Sequence, residues 1–179
     1  RRSSDLAIKE IETGAMFPMQ VESGEWRVES DTTVNTYTEV THVDNDLVNL
    51  FHSGQVWVGE KLSAAVPTRR FELHVPGTGI HNVRVRWAVV SNGTSTGRFT
   101  LSTEGYSGEI TTSSSNPYRT AYGQLTEMQN SYPFTLSFAP SDNMGSGYLD
   151  FIEVCADVTL TWNGGQKIVR SVEPGGRVA

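Results

Sequence analysis

Tyr148-Leu-Asp-Phe-Ile-Glu-Val-Cys-Ala-Asp-Val-Thr-Leu-Thr-Trp162 is the stretch that decides the fold. From Ile152 onward every second residue is apolar: Ile152, Val154, Ala156, Val158, Leu160 and Trp162. Between them stand Glu153, Cys155, Asp157, Thr159 and Thr161. A period of two sends one row to a core and the other to solvent or a partner. The strand this predicts is longer than the usual ~5–6 residues and spans the full height of a sandwich.

Working outward, shorter runs repeat the pattern. Phe71, Leu73 and Val75 alternate with Glu72 and His74, and Val83, Val85 and Trp87 alternate with Arg84 and Arg86. Arg98–Ser102 and Pro133–Phe138 read as strands, and Gln55–Leu62 reads as another. Pro76-Gly-Thr-Gly79 and Asn163-Gly-Gly165 are turn signals. Glu104–Gln129 is polar and rich in Ser and Thr, with weak strand signals around 108–112 and 121–125. Asp44 is placed to cap a short helix carrying Leu47, Val48, Leu50 and Phe51. Seven or eight strands at this spacing predict an all-β fold, an antiparallel jelly-roll β-sandwich. An extended N-terminal arm (1–40) precedes the jelly-roll domain (41–162), and a C-terminal tail (163–179) follows.

Composition narrows the function. The chain has 179 residues, enough for one all-β core, and 17 glycines suit a fold with many turns. A net charge of −6 argues against a nucleic-acid module, so little direct nucleic-acid binding is expected. No apolar run is long enough to span a bilayer. The chain starts at Arg1 without a methionine, as expected of a piece cut from something longer. Cys155, the single cysteine, excludes an internal disulfide and has no cation beside it in sequence to favour a thiolate, so it reads as structural.

No catalytic set emerges. His42, His52, His74 and His81 share no metal-ligand spacing, and no metal or cofactor is called for. No nucleophile elbow or phosphate-binding glycine loop is present. A carboxylate pair from Glu104, Glu109 and Asp142 requires distant loops to converge. Asp142-Asn143 offers only two of the ligands calcium wants. Asn92-Gly-Thr94 matches a glycosylation acceptor. The expectation is a protein that is not an enzyme.

Two stretches carry resemblances. Ile11-Glu-Thr-Gly-Ala15, then Glu39-Val-Thr-His-Val-Asp44 and Leu47-Val-Asn-Leu-Phe-His-Ser-Gly-Gln-Val-Trp57, resemble the start of the large outer capsid protein of picornaviruses. Phe71-Glu-Leu-His-Val-Pro-Gly77 is similar to the next strand of the parechovirus-like members. This resemblance implies a capsid subunit of the virion, assembled in host cytoplasm. The arm and tail would then embrace neighbouring subunits, and the outer loops could meet a host receptor or glycan. Gly79-Ile-His-Asn-Val-Arg-Val-Arg-Trp-Ala88 and Gly147-Tyr-Leu-Asp-Phe-Ile-Glu-Val154 resemble strands of galactose-binding-like jelly rolls. Those occur in carbohydrate-binding modules and in the third domain of insecticidal crystal toxins. The second resemblance implies a secreted domain in which Tyr106, Tyr118 and Tyr122 stack on sugar faces.

Overall fold

The computed structural model describes residues 33–50, 52, 56–92, 96–141, 145–161 and 177–178. Eleven strands run through them: β1 (Thr33–Val34), β2 (Thr36–Asp44), β3 (Lys61–Ser63), β4 (Thr68–His74), β5 (His81–Asn92), β6 (Gly97–Thr103), β7 (Tyr106–Thr112), β8 (Tyr118–Gln124), β9 (Ser131–Pro140), β10 (Ser146–Thr159) and β11 (Arg177–Val178). There is no helix among the described residues. One sheet has the order β2-β10-β5-β8, and β3 continues the line of β2 by pairing with the start of β10. The facing sheet has the order β4-β9-β6-β7, and every pairing within both sheets is antiparallel. β1 and β11 pair in parallel as a small separate ribbon. The architecture is the jelly-roll β-sandwich that the alternation predicts.

β10 is the spine. It lies between β2 and β5 and sends Ile152, Val154, Ala156 and Val158 into the core with no exposure. From the other sheet Tyr132, Phe134, Leu136 and Phe138 of β9 meet them, joined by Phe99 and Leu101 of β6. Phe99 and Phe138 pack with ring centroids 4.5 Å apart. Trp87 of β5 is wholly buried, and its indole N–H donates to the Tyr106 hydroxyl at 3.0 Å. That bond ties β5 to β7 across the sandwich.

Two expectations need correction. Asp44 caps no helix: it is the last residue of β2, opposite Phe151, and its neighbour segment is held by Val48 and Val58 exchanging two 2.9 Å hydrogen bonds. Strand pairing and the packing of Leu50 and Val56 on Val58, Val90 and Tyr148 outweigh the weak local helix preference. Phe51 lies outside the described residues. Residues 55–62 are not one strand; within the described part, Val58 makes a lone bridge and β3 begins at Lys61. The weak strand signals around 108–112 and 121–125 in the polar stretch are borne out as two full strands, β7 and β8. Asp157 keeps its place in the outward row, opposite Thr38, but is only 5% exposed because Thr38 and Asn82 close over its carboxylate.

β2 also takes in Thr36–Val40, which the sequence reading gave to the arm. Most of the remaining arm and tail, Trp162, and the Asp142-Asn143 pair lie outside the described residues.

Candidate functional site

The outward face of the β2-β10-β5-β8 sheet is where unusual side chains gather. Register sets them side by side: Val40 stands opposite Cys155, Cys155 opposite Arg84, Glu153 opposite Arg86, and Arg86 opposite Tyr122. Residues directly opposite on antiparallel strands lie about 5 Å apart, so this row forms one surface. A groove of ≈ 570 Å³ follows it, lined by Thr38, Val40, Arg84, Arg86, Tyr122, Glu153 and Cys155 among others.

The polar groups in the groove are held in place. Arg86 pairs with Glu153, its Nε 3.2 Å from Oε1 and its Nη2 donating to Oε2 at 3.5 Å. The same guanidinium lies 4.7 Å over the Phe151 ring. Arg84 faces Asp157 at 3.7 Å. Asp157 is itself fixed by the Thr38 hydroxyl at 2.9 Å and the Asn82 amide at 3.0 Å. An arginine has five N–H donors, so both guanidiniums keep donors free for a ligand, and Glu153 keeps acceptor capacity. Beside them Tyr122 is 74% exposed, the most exposed large aromatic among the described residues. Burial, then the Glu153 charge, pushes the Cys155 thiol up, so it is a poor nucleophile at neutral pH.

A second, smaller cleft of ≈ 300 Å³ lies on the same face, lined by Asp44, Asp46, Val56, Trp57, Tyr118 and Asp150. Tyr118 donates to Asp150 Oδ2 at 2.8 Å. Burial and this bond push the Tyr118 hydroxyl up to about 12, so it stays a donor throughout the usual pH range. Burial, with the charges of Asp44 and Asp46, raises Asp150 despite the Tyr118 bond.

The three tyrosines singled out by sequence therefore separate. Tyr118 and Tyr122 share the outward face of β8. Tyr106 does not join them: its ring lies on the inner side, against Gly123 and Gly108, where any Cβ would collide with it. Those glycines are there to make room for the ring. A signal was present, since Tyr106 has the parity of Ile110, the one aliphatic residue of its strand, and that parity points inward. Tyr106→Phe should leave the Trp87 N–H without its partner and cost about 1–2 kcal/mol, read as a lowered urea midpoint with an unchanged slope. Arg84, Arg86 and Glu153 were legible as wet residues, but only the register makes them one site.

Other chemistry does not assemble. Among the described residues no group of three His, Cys, Asp or Glu side chains is placed to hold a metal. Glu109 pairs with Arg98 at 3.6 Å on the other sheet, and Glu104 sits in the turn between β6 and β7.

No protein-family model matches the chain, and no curated protein matches it. Among solved structures, dimeric latent PorU from Porphyromonas gingivalis aligns with a TM-score of 0.62 and 21% identity over 83% of this chain. The alignment takes up 15% of PorU, so this chain corresponds to a small part of that protein. At this identity the likeness establishes the sandwich fold and nothing further. Two carbohydrate-binding modules align more loosely. CBM36 in complex with calcium and xylotriose has 16% identity and a TM-score of 0.40, over 52% of this chain and 77% of that one. CBM35 from Cellvibrio japonicus Abf62 has 15% identity and a TM-score of 0.38, over 82% and 94%. The comparisons lend no support to the capsid resemblance.

Proposed function

We propose that the chain is a non-catalytic binding domain that holds a neutral glycan on the outward face of its β2-β10-β5-β8 sheet. Tyr122 carries the reading: an aromatic ring 74% exposed at the edge of a groove that also offers fixed donors and acceptors. A sugar ring has an apolar face for such a ring to cover and hydroxyls around its rim. Those hydroxyls accept from the spare N–H groups of Arg84 and Arg86 and donate to Glu153. The arginines and carboxylates are already paired, so the groove is close to charge-balanced and favours a neutral sugar over a uronate. Pairing also holds the polar groups in position before a ligand arrives, which reduces the ordering cost of binding.

Assembly as a capsid subunit, the other expectation, depends on an arm (1–40) and a tail (163–179) that fall mostly outside the described residues, and no observation on the sandwich favours it.

The test is a glycan array of plant, fungal and bacterial polysaccharides, probed with the chain and with Tyr122→Ala. The expected result is retention on at least one neutral glycan, weakened about tenfold or more by the substitution. Tyr122 is surface-exposed, so the variant should keep its fold. Absence of any glycan binding, or binding indifferent to Tyr122→Ala, refutes the proposal.

A further inference from the structure

The two clefts lie on one face, and their spacing bears on the size of what binds. Tyr118 and Tyr122 are four residues apart on β8, so they share a side and lie about 13 Å apart along the strand. Their partners on β5 confirm the line: Tyr122 stands opposite Arg86 and Tyr118 opposite Val90. Between them on this face come Thr120 and its partner Ala88, both with small side chains. The groove at Tyr122 and the cleft at Tyr118 thus lie along one track.

The far end of the track is built and rigid. Trp57, 39% exposed, is followed by Val58, which is wholly buried against Val90 and Tyr148. The backbone there is pinned by the Val48–Val58 bridge and by the Gly59 N–H donating to the Leu149 carbonyl at 2.7 Å. Trp57 is therefore presented by an anchored segment. Tyr118 is fixed by its bond to Asp150, which leaves its ring as the surface on offer. A large aromatic on an anchored backbone beside a second fixed ring makes contact area available at little entropic cost.

We propose that Trp57 and Tyr118 form a second subsite, so that an extended neutral oligosaccharide runs along β8 and occupies both clefts. This rests on the glycan-binding reading of the Tyr122 groove and adds the length and charge of the ligand. Length follows from the separation, because a single sugar ring cannot touch both aromatics. Neutrality follows from the cleft, where Asp44, Asp46 and Asp150 line the wall and no lysine or arginine does. A uronate placed there would meet like charge.

The experiment is calorimetric titration with xylan-, cellulose- and galactan-derived ladders, from monosaccharide to hexasaccharide, and with oligogalacturonate as the anionic control. The expected result is affinity that rises with length by about tenfold or more and then levels off, with no binding of oligogalacturonate. Trp57→Ala should erase the gain from length while leaving the affinity for the shortest bound sugar unchanged. Affinity independent of length, or a length gain that survives Trp57→Ala, overturns the second subsite while leaving the first. Preferential binding of oligogalacturonate overturns the neutral track. Loss of every interaction, or indifference to Tyr122→Ala, defeats the underlying reading as well.

Discussion

Trp87→Ala is expected to destabilise the domain by about 3–5 kcal/mol, the range for emptying a buried aromatic site. Trp87 is wholly buried in the middle of β5, and its indole N–H bonds the Tyr106 hydroxyl across the sandwich. Removing it opens a cavity between the sheets and leaves Tyr106 without its donor. For a domain whose total stability is about 5–15 kcal/mol, that is a large fraction. Thermal unfolding should show the midpoint falling by roughly 10 °C, given a shift of about 2–4 °C per kcal/mol at this size. Trp87→Phe keeps much of the volume and should cost less. A midpoint unchanged by Trp87→Ala means that β5 does not pack where the sandwich places it.

The second large effect concerns Asp157. Its carboxylate is 5% exposed and accepts from Thr38 on β2 and Asn82 on β5, so it fastens three adjacent strands at one end of the sheet. Asn82 has φ +49°, an unfavourable conformation for a residue with a side chain, and its bond to Asp157 holds it there. Each hydrogen bond to a buried charge contributes about 1.5–3 kcal/mol. The ion pair with Arg84 adds little, since the arginine side is 56% exposed. Asp157→Ala should therefore cost about 3 kcal/mol in chemical denaturation. Asp157→Asn should recover only part of it, because one amide oxygen cannot serve both Thr38 and Asn82 as two carboxylate oxygens do. Full recovery in the asparagine variant would show that the three strands do not need two carboxylate oxygens at this position.

How far the sequence went can be judged residue by residue. Ile152, Val154, Ala156 and Val158 were readable as core because β10 is long enough for its period to be unmistakable, and the same holds for Phe134, Leu136 and Phe138. Asp157 was legible as an outward residue, but its burial was not, because that comes from Thr38 and Asn82 on the neighbouring strands. Asp44–Phe51 read as a helix because local capping signals say nothing of a partner strand far along the chain. Tyr118 and Tyr122 were legible as exposed aromatics. Tyr106 was not separable by composition, only by its parity with Ile110. The groove was legible as single wet residues, but its unity comes from strand register, which loops and bulges set.

Cys155 offers the most direct measurement of whether a glycan occupies this face. It is the only cysteine, it lies in the groove between Arg84 and Val40, and its side chain is half-buried there. Its thiol is raised by burial and by Glu153, so alkylation is followed at alkaline pH, where thiolate is available. A neutral oligosaccharide that binds the chain is predicted to slow Cys155 alkylation in proportion to occupancy, and Tyr122→Ala to abolish that protection. Alkylation at an unchanged rate with the oligosaccharide bound would contradict the account, because it would place the glycan somewhere other than the groove.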